Sequence, residues 1–123
     1  MKKILMVEDH ADIRKLIRMT LEFENYDIYE AEDGASGLQK ALALRPDLIL
    51  MDVMMPGELD GLQATRRIRQ DAGIQHTPVV LLTARGQAKD REEGMAAGAT
   101  AYLVKPFSPL ELIELIESLI GQS

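Results

Sequence analysis

Apolar residues fall into two rhythms along this chain. The first is the short continuous run: residues 4–7, 48–51 and 79–82 have no polar break, and 101–104 is nearly as apolar. Residues 27–31, centred on Ile28 and Tyr29, form a weaker fifth run. Runs of this length read as strands buried on both faces, which belong to a parallel sheet covered by helices on each side. The second rhythm is helical. Ile13, Leu16, Ile17, Thr20 and Leu21 form one stripe from Asp12 to near Glu24, with Asn25 as its stop. Asp33-Gly34 marks a turn, after which Ala35, Leu38, Ala41 and Leu42 make a helix ended by Arg45-Pro46. Leu62, Thr65 and Ile68 line a third helix whose cap is Asp60, with Gln63 completing a capping box. Residues 87–97 predict a polar, glycine-containing and weak helix. Ser108-Pro109-Leu110-Glu111 opens the last helix, which carries Leu112, Ile113, Leu115, Ile116, Leu119 and Ile120.

Strands starting near residues 3, 27, 48, 78 and 101, each pair separated by one helix, make five βα units. The expected fold is α/β: a three-layer, doubly wound, five-stranded parallel sheet forming one domain over residues 1–123. A closed barrel needs about twice this length.

Composition narrows the function. With 20 acidic and 14 basic residues the net charge is −6, which opposes direct contact with a nucleic-acid backbone. The basic cluster Arg66-Arg67-Ile68-Arg69 sits at helical spacing and reads as a solvated face. No cysteine is present, so disulfide and thiolate chemistry are excluded. The four apolar residues after Lys2-Lys3 are too few for a signal-peptide core or a membrane span, and a cytoplasmic location is the default. The chain stops at Gly121-Gln122-Ser123 directly after a helix, which favours a free-standing domain over one cut from a larger protein.

Parallel strands end on one edge of the sheet, where open α/β folds place their ligands. Here that edge receives Glu8 and Asp9 from the first strand, Asp52 from the third, Thr83 from the fourth and Lys105 from the fifth. Neighbouring carboxylates repel by about 4 kcal/mol per pair at an effective dielectric near 20. A hard divalent cation offsets this, and oxygen ligands without Cys or His point to Mg²⁺, with Mn²⁺ as the alternative. Thr83 can donate to a phosphoryl oxygen, Lys105 can pair with another, and Asp52 can act as nucleophile.

Val7-Glu8-Asp9, the run into Asp52 with Met55-Pro56 and Asp60-Gly61, Leu82-Thr83-Ala84, and Tyr102-Leu103-Val104-Lys105-Pro106-Phe107 together resemble the receiver domain of two-component response regulators, over essentially the whole chain. The resemblance implies a flavodoxin-like (βα)₅ fold in which Asp52 is phosphorylated by a histidine kinase or phosphotransfer protein. It implies Mg²⁺ ligation by Glu8, Asp9, Asp52 and the Met54 carbonyl. It makes Thr83 the hydroxyl switch, Tyr102 the aromatic partner, Lys105 the phosphate-binding ammonium and Ala84 a backbone contact to the phosphoryl group, with a cis Lys105–Pro106 bond. A downstream protein would be met through the fourth helix, fifth strand and fifth helix, by a monomer or a phosphorylation-dependent dimer. Two departures stand out. Three residues separate Pro56 from Asp60 where the family usually has two, and Met54 and Arg85 occupy positions that tune acyl-phosphate lifetime.

Rival readings fit less well. A Mg²⁺-dependent phosphohydrolase with an aspartate nucleophile needs a second Asp two residues on, where this chain has Met54. A flavin carrier needs a hydroxyl-rich loop where Glu8-Asp9 stands, and no P-loop occurs. His10 and His76 lie at a helix start and in a loop, in solvated positions. The chain therefore reads as a signalling domain rather than a turnover enzyme, the contest being between a free-standing regulator and the receiver of a DNA-binding regulator or hybrid kinase.

Overall fold

Successive side chains of a strand point to opposite faces, and in β1 (Lys2–Val7) both faces are covered. Ile4 and Met6 join Ile17 and Leu21 of α1 (Ala11–Leu21) and Leu112 and Ile116 of α5 (Pro109–Ile120). Leu5 and Val7 join Ala41 of α2 (Gly34–Leu44), Leu62, Ala64 and Ile68 of α3 (Gly61–Gln70), and Ala97 of α4 (Ala88–Ala97). Two cores, one on each face, therefore require continuous apolar strands rather than alternating ones. The computed structural model describes residues 1–84 and 88–121.

The remaining strands are β2 (Tyr26–Ala31), β3 (Leu48–Asp52), β4 (Val79–Ala84) and β5 (Ala101–Lys105). They pair in the order β2-β1-β3-β4-β5, all parallel. The chain runs outward from β1 to β2, then crosses back to β3, so the order reverses beside β1 and β3. That reversal opens the crevice in which doubly wound sheets bind ligands. The expected flavodoxin-like fold is the one observed.

Local signals set most boundaries. Both predicted capping boxes form: Asp60 accepts from Gln63 N at 2.8 Å and Ser108 from Glu111 N at 3.1 Å, each answered by the reverse bond. Arg45 closes α2 in the left-handed conformation (φ 49°), directly before Pro46. The Lys105–Pro106 bond is cis.

Several details differ from expectation. α1 ends at Leu21, and residues 22–24 form a single 3₁₀ turn before Asn25 turns left-handed at φ 59°. Asp33 is the N-cap of α2, its carboxylate accepting from Ser36 N at 2.8 Å, not part of a free turn. Leu16 and Leu42, placed on inner stripes, are more than 40% exposed, because Ile17–Leu21 and Gly37–Ala41 set the buried directions of their helices. Gly94 is tight packing rather than slack: a Cβ there would lie 2.3 Å from Leu81 Cδ1.

Arg69 departs from the solvated-face reading most clearly. Its guanidinium donates to the carbonyls of Gly98 (2.7 Å), Thr77 (2.6 Å) and Gln75 (3.0 Å) and to Thr100 Oγ1 (3.2 Å). It thereby ties the loop before β4 to the turn after α4. Partial burial lowers its pKa without threatening the charge. Arg66 and Arg67 are exposed as expected. Among the described residues, no helix is long and apolar enough to cross a membrane.

Candidate functional site

Strand register gathers the predicted residues. Asp52 lies opposite Leu82, Thr83 opposite Val104 and Ala84 opposite Lys105, while Glu8 continues β1 with its N–H on the Ala31 carbonyl at 3.0 Å. α3 starts close behind the site. Gly61 donates to the Val53 carbonyl at 3.1 Å, and a Cβ on Gly61 would fall 2.0 Å from the Asp52 carbonyl oxygen. Only glycine permits that approach.

Glu8, Asp52 and Thr83 are buried, at 0%, 4% and 1% exposure, while the Asp9 and Lys105 side chains are 25% and 20% exposed. Lys105 Nζ donates to Glu8 Oε1 at 2.6 Å and to Asp52 Oδ1 at 3.3 Å. One ammonium therefore serves two buried carboxylates, with Asp9 beside them. Asp52 Oδ2 and Thr83 Oγ1 are buried with no hydrogen-bond partner among the described residues. An orphaned buried carboxylate oxygen is costly, and here the orphan points to a missing positive or hydrogen-bonding partner.

The charge is divided unequally. For Asp52, burial first, then the hydrogen bond and charge of Glu8, push the carboxyl up to about 7, against the pull of Lys105. For Glu8, burial also raises the pKa, but hydrogen bonds with Lys105, Asp52 and the His10 backbone outweigh it and hold the group at about 2. The shorter Lys105 contact to Glu8 explains the direction: negative charge is favoured on Glu8 and disfavoured on Asp52. Three convergent oxygen donors, two of them (Asp9 Oδ1 and Asp52 Oδ2) without a hydrogen-bond partner among the described residues, fit a hard divalent cation.

Other predicted residues lie around this centre. Met54 is 71% exposed and Ala84 is exposed. Tyr102 is half-buried, its ring covered by the Arg91 guanidinium 4.1 Å from the centroid. Arg85 lies outside the described residues. In the longer loop between Pro56 and Asp60, Gly57 and Glu58 are exposed.

Two groups at the site escaped the sequence reading. Arg14 donates to the Glu8 carbonyl at 2.7 Å and to Glu30 Oε1 at 3.1 Å, and Arg18 donates to Glu30 Oε2 at 2.7 Å. The pair straps the β1–α1 connection to β2. Their i, i+4 spacing was a visible signal, but the partner Glu30 belongs to a different element. His10, read as solvated, turns its Nδ1 toward the site, 3.1 Å from Glu8 Oε2 and 3.2 Å from Asp9 Oδ1. Only the Glu8 contact is a hydrogen bond. That bond, then the charges of Asp9 and Glu8, raise the His10 pKa.

Comparison with known proteins agrees with this geometry. A family model described as "Response regulator receiver domain" matches residues 4–117. Transcriptional regulatory protein ResD of Bacillus subtilis is 48% identical over 98% of this chain and 49% of its own length. Response regulator ArlR of Staphylococcus saprophyticus is 42% identical over 98% of this chain and 53% of its own. The chain thus spans about half the length of the curated relatives it matches. Among solved structures, chemotaxis response regulator CheY4 of Vibrio cholerae superposes with TM-score 0.90 at 35% identity, covering 97% of this chain and 98% of that one. The receiver domain of sensor histidine kinase PA1611 from Pseudomonas aeruginosa, solved with a magnesium ion coordinated in its active-site cleft, superposes with TM-score 0.90 at 36% identity over 98% of both chains. Sheet order, acidic strand ends and whole-length similarity lead to one conclusion: the chain belongs to the response regulator receiver family, signalling domains of two-component systems.

Proposed function

We propose that Asp52 is the phosphoacceptor of this receiver and takes its phosphoryl group from a phosphohistidine on a histidine kinase or phosphotransfer protein. The observation that carries the reading is the buried Asp52 carboxylate, with one oxygen near Lys105 and the other without a partner among the described residues. Glu8, Asp9, Asp52 and the Met54 carbonyl would hold Mg²⁺, or Mn²⁺ in its place. When bound, the ion supplies positive charge for the phosphoryl oxygens and for the ionised form of Asp52.

The chain's own residues do the rest. Asp52, ionised, attacks phosphorus in line; the phosphorus–nitrogen bond breaks and the imidazole leaves with its electron pair. Lys105 exchanges part of its contact with Glu8 for the new phosphoryl oxygens, and the Ala84 backbone adds a further contact. The product brings nearly two negative charges to one strand end. Thr83, whose hydroxyl has no hydrogen-bond partner among the described residues, turns to donate to the phosphoryl group. Tyr102 follows into the space vacated, leaving Arg91, and the α4–β5–α5 surface changes for a downstream protein. A coupling of about 1–3 kcal/mol suffices. Met54 and Arg85 would tune how fast water hydrolyses the acyl-phosphate. The domain would work in the cytoplasm as a switch rather than as a turnover enzyme, as a monomer or a phosphorylation-dependent dimer.

The shared half of the longer relatives, two of which are named transcriptional regulatory proteins, supports a second reading of the output: control of an attached DNA-binding half rather than of a separate target. Sequencing the full open reading frame distinguishes the two. The phosphoacceptor reading is tested by incubation with acetyl phosphate and Mg²⁺. Intact mass should rise by one phosphoryl group in the parent and stay unchanged in Asp52→Asn or with chelator; equal gain in the variant contradicts it.

A further inference from the structure

We infer that His10 is a metal-binding residue, which makes this acidic pocket a mixed nitrogen–oxygen site able to take a borderline divalent ion such as Co²⁺, and to a smaller degree the harder Mn²⁺, more tightly than an all-oxygen pocket would. The inference rests on the proposal that a divalent ion binds at Asp52, and adds a ligand to it.

The spacing is that of ligands on one ion. Neighbouring donors of an octahedral ion at about 2.1 Å lie about 3.0 Å apart, and those of a tetrahedral ion at about 2.0 Å lie about 3.3 Å apart. His10 Nδ1 is 3.2 Å from Asp9 Oδ1, a pair that is not hydrogen-bonded, and 3.1 Å from Glu8 Oε2, its hydrogen-bond partner in the metal-free chain. One ligand atom from each of Glu8, Asp9, His10 and Asp52 falls within 4.8 Å of all the others. A second observation points to a cation: Asp52 Oδ2 is buried without a hydrogen-bond partner among the described residues, on a residue only 4% exposed.

The backbone leaves His10 available for the role. It occupies the N-cap of α1, yet its side chain makes no capping hydrogen bond. Its ring is turned instead toward two carboxylates, and its backbone N–H donates to Glu8 Oε2 at 3.2 Å, which fixes both residues in one turn. The imidazole is 63% exposed, so the ring can reorient toward an ion without entering the core. Imidazole favours first-row transition ions over Mg²⁺, which prefers oxygen and keeps its waters. The consequence is selectivity: His10 strengthens Co²⁺ and Mn²⁺ binding and leaves Mg²⁺ nearly untouched, so the ion occupying the site depends on which is available.

Titration calorimetry with Mg²⁺, Mn²⁺ and Co²⁺, each alone, tests this on the parent chain and on His10→Asn, which keeps an N–H donor at similar reach but whose amide can offer a metal only oxygen. Co²⁺ affinity should fall about tenfold in the variant and Mn²⁺ affinity several-fold, while Mg²⁺ affinity changes less than twofold. The visible absorption of bound Co²⁺ should shift as nitrogen is lost from its ligands. Equal losses for all three ions, or an unchanged Co²⁺ spectrum, overturn the role of His10 while leaving the Mg²⁺ site standing. A parent that binds none of the three overturns both. Matching urea midpoints without metal establish that the variant is folded.

Discussion

Replacing Asp52 with Asn should stabilise the metal-free protein by an amount that grows with pH. The carboxyl is 4% exposed, and burial, followed by Glu8, raises it from 3.8 to about 7. Between those values the folded chain binds a proton that the unfolded chain has released, so unfolding free energy falls as pH rises through the window. Roughly three pH units at about 1.4 kcal/mol each set a ceiling on the order of 4 kcal/mol. Two like charges about 4 Å apart at an effective dielectric of 20 give the same size, about 4 kcal/mol, and Lys105 at 3.3 Å from Asp52 offsets part of it. About 2–4 kcal/mol therefore remains. Glu8 has the opposite sign. Held at about 2 instead of 4.5, it contributes stability that is present above 4.5 and lost as pH falls toward 2, in parent and variant alike. Parent and Asp52→Asn should have equal stability near pH 4, with the variant ahead at pH 8. Urea unfolding in chelator, followed by circular dichroism, should place the variant midpoint about 1–2 M higher at pH 8, for a slope near 2 kcal/mol/M. Saturating Mg²⁺ should close the gap by stabilising only the parent. A pH-independent difference, or a variant less stable at pH 8, would refute the assigned repulsion.

Three other substitutions probe separate parts of the account. Lys105→Met leaves two buried carboxylates without their ammonium; stability in chelator at pH 8 should drop by about 3 kcal/mol, and Mg²⁺ or a double substitution with Asp52→Asn should restore most of it. Thr83→Val removes a buried hydroxyl that has no partner among the described residues, so urea stability should hold or rise by up to about 1 kcal/mol. The same variant should still be phosphorylated, but the chemical shifts of α4 and β5 amides should no longer respond. Arg69→Ala frees three carbonyls and one hydroxyl and should cost about 2–3 kcal/mol, with phosphorylation rate within twofold of the parent and no rescue by Lys, which lacks the planar fork.

The architecture was readable because each strand is buried on both faces. Ile4, Leu5, Met6 and Val7 are all at 0% exposure, and a continuous apolar run leaves few other folds. Glu8, Asp52, Thr83 and Lys105 were legible for a related reason: parallel strands share an edge, so order along the chain fixes which ends meet. Side-chain direction was not legible. The sequence shows His10 beside two acids but not that its Nδ1 faces both while the ring stays largely exposed, and it shows three arginines at helical spacing but not that Arg69 reaches four acceptors while Arg66 and Arg67 reach solvent. The Arg69 outcome depends on the loops before β4 and after α4, whose positions follow from tertiary packing. The Leu16 and Leu42 stripes failed similarly, because helical spacing gives a face about 100° wide while the sheet decides which part of it is covered.

The most direct test is chemical mapping of the phosphoryl group. Protein treated with acetyl phosphate and Mg²⁺ is reduced with borohydride, which converts an aspartyl phosphate to homoserine, and is then digested for peptide mass analysis. Conversion at Asp52, and its absence without Mg²⁺, is the predicted result. Conversion at Asp9 or another carboxylate instead, or none anywhere in a folded chain that binds Mg²⁺, would contradict the assignment of Asp52 as phosphoacceptor.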